Sequence, residues 1–473
     1  MSKLDTSTSL PASWNFVPLK ELGDWSGGGT PSKAKPQYWQ GGTIPWVSPK
    51  DMKAERISDS EDHITKEAVS HSTASLINAD SVLIVTRSGI LRHTLPVAVN
   101  SVPVTVNQDL KALTPRNGIM AEYVAWALRA FSRDILHTCS KQGTTVNSVE
   151  TSKLLGFEIP VAPRGQQAKI VAEIEKQFSR LDEAIANLKR VKANLKRYKA
   201  SVLKAAVEGK LTEDWRKQHP DVEPASKLLE RSLAERRVKW NGKRKYKAPA
   251  EPEMNNLFML PDQWTWASAD QLSAGEPYAL AIGPFGSNLK VSDYTASGVP
   301  LIFVRNIRSA NFEESDAVFV SKHKAEELKS HQVSGGDILI TKMGAPPGDA
   351  CLYPEARSRA VITADCIKLR LSPLLSDKHF FVHAINSQVV KPQILDITKG
   401  VAQMKVSLAR FSRIALPLPP LAEQCQIVAE VERRLSVIEE LEAAVQANLT
   451  RADRLRQSVL GDAFSGKLVR VTV

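Results

Sequence analysis

The chain repeats itself. IPVAPRGQQAKIVAEIE at 159–175 matches LPLPPLAEQCQIVAEVE at 416–432, and SVLKAAVEGKL at 201–211 matches SVLGDAFSGKL at 458–468. From Gly143 and Gly400 onward the offset stays at 257, over roughly 70 residues, and self-similarity of that kind fixes an architecture before any motif is considered. Upstream the match is looser. Leu10-Pro11 and Trp14 recur as Leu260-Pro261 and Trp264, and DSVLIVTRSG (80–89) aligns with DILITKMG (337–344). The chain is therefore one plan used twice: a globular segment followed by a connector.

The connectors read as long helices. Ile174, Leu181, Leu188, Leu195 and Val202 fall every seven residues, with Val171, Phe178 and Ile185 on the adjacent seam. Val431, Ile438, Val445, Ala452 and Val459 repeat the pattern, flanked by Val428, Leu435 and Leu449. Apolar residues sustained at this period argue a coiled coil, in which each helix buries its seam against a partner. Pro160, Pro163, Pro417 and Pro420 mark the starts, and Gly209 and Gly466 the ends, because proline suits a first turn and glycine the residue after a last one. About 36 residues of helix span roughly 54 Å. Residues 170–211 carry +5 and residues 427–468 carry −1, so the two helices can pair with each other, and antiparallel packing is expected. Two unrelated helices, each docked on its own domain, are the other reading.

The globular segments mix short β-rich runs (SVLIV, PVAV, PVTV, PLIFV, DILIT and AVIT) with turn residues, which reads as strands. AEYVAWALRAF (121–131) and HFFVHAIN (379–386) read as helices packed on them. The expected fold class is α+β: two duplicated α/β domains, 1–160 and 259–416, joined by two long antiparallel coiled-coil helices. The connectors are placed at 161–211 and 417–473, with a polar, basic linker at 212–258.

The net charge of +12 is uneven. Residues 188–204 hold seven Lys/Arg and no acid, and residues 227–247 hold nine against Glu230 and Glu235. Residues 1–168 total only +2 and residues 248–420 total zero, so composition alone does not make the globular parts polyanion binders. MSKLDTSTSL lacks the apolar stretch of a signal peptide, no apolar run reaches the roughly 20 residues of a membrane span, and Cys139, Cys351, Cys366 and Cys425 are scattered. A cytoplasmic protein with reduced thiols is expected.

Motifs for chemistry are missing. No GxxxxGK[ST] phosphate loop is present, and SGGGTPSK (26–33) has its glycines at the wrong spacing, suiting a flexible DNA-facing turn or an ordinary surface loop. Ala345-Pro346-Pro347-Gly348 is a turn, not an Asn/Asp-Pro-Pro-Tyr/Phe methyltransferase loop. Glu327-Leu328-Lys329 is an isolated ExK triplet, and His379 and His383, four apart on a helix, lack a third metal ligand.

This arrangement resembles the specificity subunits of type I restriction–modification enzymes over nearly the whole chain. LPLPPLAEQCQIVAEVE carries the resemblance most specifically, with WSGGGTPSKAKPQYWQGGTIPWVSPKDM (25–52), IVTRSG (84–89) and ITKMG (340–344) in support. One departure is visible: Arg164-Gly165-Gln166 stands where the second connector has Leu421-Ala422-Glu423. The resemblance implies a non-catalytic chain whose two target recognition domains each read half of an asymmetric DNA site, while the helices set the spacer. It implies as partners double-stranded DNA, two methyltransferase subunits that bring S-adenosylmethionine and adenine-N6 methylation, and two restriction/translocase subunits that bring ATP, Mg and DNA cleavage. This chain itself is expected to bind no cofactor and no metal.

Reading DNA needs polar or cationic side chains on loops that enter a groove. The candidates beside glycines or strand ends are Thr30, Ser32, Lys33, Arg87, Ser88, Gln142, Thr144 and Asn147 in the first domain. In the second they are Ser287, Asn288, Lys290, Arg305, Asn306, Lys342, Gln403 and Lys405. The stripe Lys189, Arg190, Lys192, Lys196, Arg197 and Lys199 fits spacer phosphates, an acidic partner face or a solvated helix flank. A fused enzyme and a coiled-coil scaffold without DNA recognition are the competing classes. The missing motifs weigh against the first and the duplicated plan against the second.

Overall fold

The computed structural model describes residues 10–141, 147–240, 245–314, 317–400 and 404–469. The chain forms two compact units. One runs to Arg190 and resumes at Val445; the other is Val191–Ala444.

In the first unit a five-stranded sheet orders Gly23–Gly27, Leu110–Pro115, Val82–Val85, Val97–Asn100 and Arg56–Ile57. Val82, Leu83, Ile84 and Val85 are all buried; a strand covered on both faces loses the alternation of a half-exposed one. Helix Ala121–Ala130 closes one face with Tyr123, Val124, Trp126 and Leu128. The strand Asn15–Pro18 pairs antiparallel with Glu158–Val161, so the domain leaves beside where it began.

The second unit repeats this. Leu280–Ile282, Cys366–Leu369, Ile338–Thr341 and Ala350–Leu352 form a four-stranded sheet, and a five-stranded one is built around Val299–Ile302 and Ala360–Ile362. Thr265–Ser268 pairs with Ala415–Leu418 as the closing ladder, and helix Lys378–Asn386 takes the place of Ala121–Ala130.

The connector helices are Arg164–Val207 and Leu421–Phe464, 44 residues each, or about 66 Å. They exceed the expected length because each starts directly after Pro163 or Pro420 and runs nearly to its glycine. Gly209 and Gly466 lie just past the ends with φ of 71° and 79°, left-handed values that glycine adopts without a Cβ clash. The heptad positions Ile174, Leu195, Val202, Val431, Ile438, Val445, Ala452 and Val459 are buried.

Pairing runs head to tail. In the first unit Ile170, Val171, Ile174 and Phe178, early in the first helix, share a core with Val459, Leu460, Ala463 and Phe464, at the end of the second. Arg456 bonds Asp182 and lies 5.0 Å from the Phe178 ring. In the second unit Lys199 stands 4.0 Å from Glu439, and Thr212, beyond the end of the first helix, donates to Glu423 at 2.6 Å. The helices are antiparallel.

Each helix is locked to its own domain by the same glutamine. Gln167 Nε2 donates to the carbonyls of Ala162 (2.7 Å) and Gly118 (3.1 Å), and its Oε1 accepts from Met120 N–H at 2.9 Å. Gln424 Nε2 donates to the Pro419 (2.9 Å) and Leu375 (2.8 Å) carbonyls, and its Oε1 accepts from Asp377 N–H at 2.7 Å. Met120 and Asp377 are the residues that begin the two domain helices. One buried side chain thus satisfies the N–H at a domain helix's start and a backbone carbonyl just before a connector helix.

Residues 212–258, read as a linker, contain helices Glu213–Gln218 and Ala225–Val238. Ala225, Leu228, Leu229 and Ser232 lie buried on one face of the second, and Arg236 donates to the Asp270 carbonyl at 2.7 Å. This segment is docked on the second unit because its few apolar residues fall at helical spacing, and Arg216 and Arg236 turn inward with them.

Candidate nucleic-acid interface

At one end of the first domain the chain gathers around the turn Asn107–Asp109. Thr86 and Arg87 N–H both donate to the Asp109 carbonyl, at 2.8 and 3.1 Å. Arg87 Nε donates to Asp109 Oδ1 at 2.7 Å while Asn107 Nδ2 holds Oδ2 at 3.1 Å. The Arg87 side chain stays 58% exposed, leaving its guanidinium edge toward solvent. Ser88 N–H donates to the Asn147 carbonyl at 3.1 Å, and Val149 N–H to the Thr86 carbonyl at 2.7 Å. Thr30 donates its hydroxyl to Gln108.

The glycines before Thr30 do not make a flexible turn. A Cβ on Gly28 would lie 2.0 Å from the Asn107 oxygen, and one on Gly29 2.3 Å from Thr73 Oγ1. They are glycine so that the backbone can lie flat on its neighbours. Thr30, Arg87, Ser88 and Asn147 are thereby brought together. Ser32 and Lys33 follow on the same exposed loop, with Trp39 Nε1 donating to the Ser32 carbonyl at 3.3 Å and Lys33 Nζ 6.0 Å from the Trp39 ring. Gln142 and Thr144 lie outside the described residues.

The second domain has the same frame with other side chains on it. Val82 pairs with Leu113, and Ile338 with Leu369, so the two ladders superpose at an offset of 256. Lys342 then occupies the place of Thr86: its N–H donates to the Asp365 carbonyl at 2.8 Å, and its carbonyl accepts from Val406 N–H at 3.0 Å. Met343 occupies the place of Arg87, bridging Lys405 as Arg87 bridges Ser148. Aligning TRSG with TKMG by letter is one residue out of register.

Lys342 Nζ donates to the Ala364 carbonyl at 3.0 Å and lies 5.5 Å from the Phe285 ring. Ser287 and Asn288 are exposed in the turn that follows, where Asn288 N–H donates to the Phe285 carbonyl at 2.8 Å. Lys405, also exposed, sits beside Met343. Lys290 is exposed, its N–H bonded to Asp293 at 2.7 Å. Arg305 stacks its guanidinium 4.2 Å from the Phe303 ring, exposed on the turn after Val299–Ile302. Asn306 does not belong with these. It is 6% exposed, accepts from Phe303 N–H at 2.9 Å and donates to the Glu313 carbonyl at 3.0 Å, so its amide shapes the turn instead of facing a groove. Gln403 lies outside the described residues.

Reading the sequence missed Gln108, Asp109 and Phe285. Aligning 28–35 with 283–290 would have exposed the last, since both octets begin with a glycine pinned against backbone. Glu327 takes Lys324 and Lys329 takes Glu326, both ordinary helix-surface pairs. Among the described residues no group of three His, Cys, Asp or Glu could hold a metal. Burial pushes the thiols of Cys351 and Cys366 up to about 12, so at neutral pH they pack as protonated, apolar groups.

Known proteins match this plan. The family model described as the type I restriction modification DNA specificity domain covers residues 11–197 and 292–451. The chain belongs to that family. It is 46% identical over 167 residues to the EcoR124I/EcoR124II type I restriction enzyme specificity subunit of Escherichia coli, covering 35% of this chain and 41% of that one. With the MjaIX specificity subunit of Methanocaldococcus jannaschii it shares 28% over 435 residues, 88% of this chain and 85% of the other. Its fold is similar to that of the HsdS subunit from Thermoanaerobacter tengcongensis (TM-score 0.55, 16% identity, 97% and 98% covered). It is also similar to a chain from a study of complex assembly and conformational transition of the type I R-M system (TM-score 0.65, 17% identity, 97% and 99% covered).

Within this specificity-domain family, the departure at the two connector starts is one of letters, not of role. Gln166 Oε1 accepts from the Trp14 indole at 2.8 Å, and Glu423 Oε2 from the Trp264 indole at 2.8 Å. The carboxylate at 423 has a reason: it is fully buried and also receives Arg216 and Thr212 from the segment following the first connector. A buried carboxylate needs such a cation and donors. None of the described helices is long and apolar enough to cross a membrane.

Proposed function

We propose that this chain is the DNA-specificity subunit of a type I restriction–modification complex, each domain reading one half of an asymmetric, bipartite DNA site. One observation carries the reading: two ends share a backbone frame and present different side chains, Arg87 and Phe285 exposed and their neighbours half-buried. Thr30, Arg87 and Ser88 stand on one, Phe285, Lys342 and Met343 on the other. Rigid support with variable loops is what a reader of base edges needs. The connector helices hold the spacer and present docking surface to two methyltransferase subunits. Those subunits supply S-adenosylmethionine chemistry at adenine, and two restriction/translocase subunits supply ATP, Mg and cleavage. The chain contributes recognition and no catalysis, and works in the cytoplasm, where the DNA is.

Exchanging residues 15–160 for the corresponding domain of another family member tests this. Mapping methylated adenines in cells carrying the hybrid should show one half-site replaced and the other unchanged. Both halves changing together would refute modular reading.

A further inference from the structure

We propose that Phe285 is a base-reading residue of the second domain whose ring contacts the 5-methyl group of a thymine in the major groove. This rests on DNA reading by that domain and adds the chemistry of one position. Ile282 pairs with Ile367 as Gly27 pairs with Lys111, so the loops leaving those strands correspond residue by residue. Gly28 and Gly283 hold equivalent places: a Cβ at either would come within 2.0 or 2.1 Å of a backbone oxygen, of Asn107 or Thr363. Two residues further on stand Thr30 and Phe285.

Thr30 turns its hydroxyl to Gln108. Phe285 has no polar atom to satisfy, yet it is 65% exposed. The root of its loop lies flat on the Thr363 backbone at Gly283. Beside it, Lys342 is tethered to the Ala364 carbonyl with its ammonium 5.5 Å from the ring, and Ser287 and Asn288 are exposed on the next turn. A phosphate backbone drawn in by the cation brings base edges to the ring. Among unmodified major-groove edges the thymine methyl is the apolar one, and phenylalanine is among the side chains that meet it. The threonine at the matching position of the first domain is smaller and carries a hydroxyl committed to Gln108, so the two positions do not present the same surface.

Duplexes should be selected from a randomised library by the wild-type chain and by Phe285→Ala, each assembled with methyltransferase subunits. The expected result is one T·A pair in one half-site becoming degenerate in Phe285→Ala, with the other half-site unchanged. Replacing that thymine by deoxyuridine removes only the methyl; it should weaken wild-type binding about tenfold, leave Phe285→Ala unaffected, and be felt partly by Phe285→Leu. Equal wild-type binding to thymine and uracil duplexes would overturn the methyl contact. A preference lost in Phe285→Ala but indifferent to uracil would overturn it too, in favour of a ring wedged between base pairs. No sequence selection by the wild-type complex would instead sink the DNA-reading assignment itself.

Discussion

Gln167 and Gln424 show how much one side chain can organise. Each is buried and makes three hydrogen bonds to backbone, fastening a domain helix to a connector helix. Gln424→Ala would strand Asp377 N–H and two carbonyls in a buried joint. Unsatisfied buried groups cost about 1–3 kcal/mol each, with partial relief from water, so a loss of about 2–4 kcal/mol is expected in the second unit. Denaturant titration gives the magnitude, and hydrogen exchange should quicken in Lys378–Asn386 while Ala121–Ala130 keeps its protection. Unchanged exchange in Lys378–Asn386 would show that Gln424 is not what holds that joint. The pair sits inside the repeated blocks PRGQQAKIVAE and PLAEQCQIVAE, so the repeat marked the place; its purpose depends on Gly118 and Leu375, more than 45 residues away.

At the scale of elements, the connector helices depend on each other. Alone, each exposes an apolar seam, and the heptads say only that something covers it. The structure supplies the partner and its direction: Arg456 meets Asp182, not a residue near the start of its own repeat. Cysteines introduced as Asp182→Cys and Arg456→Cys, with exposed Cys425 changed to Ser, should form a disulfide readily under mild oxidation. The combination Asp182→Cys with Glu439→Cys should not, since seventeen residues of helix, about 25 Å, separate positions 439 and 456. The reverse pattern would mean parallel packing. The helix Ala225–Val238 was the element most easily overlooked: nine basic residues in the surrounding stretch conceal a buried face of three apolar residues and Ser232.

For the whole molecule, helix length and reading are expected to be separable. Deleting Leu188–Asn194 removes one heptad, keeps the seam in phase and shortens the first connector by about 10 Å. Site selection with this variant is expected to show weaker binding or a different spacer, with the bases of both half-sites retained; altered bases at either end would couple the helices to reading. The sequence by itself determined the duplication, the two helices, their starts and stops, and the sheet-and-helix character of the domains. Those signals are periodic or local, carried by residues within one or two turns of each other. Only the tertiary structure decided which residues gather at the proposed reading ends. Thr30 meets Gln108, Arg87 meets Asp109 and Ser88 meets Asn147 across antiparallel ladders, and such pairs leave no period in the chain. It also decided register. By letter TRSG lies on TKMG, but the hydrogen-bonded ladder puts Lys342 where Thr86 stands, and a slip of one residue turns every side chain of a strand to the opposite face.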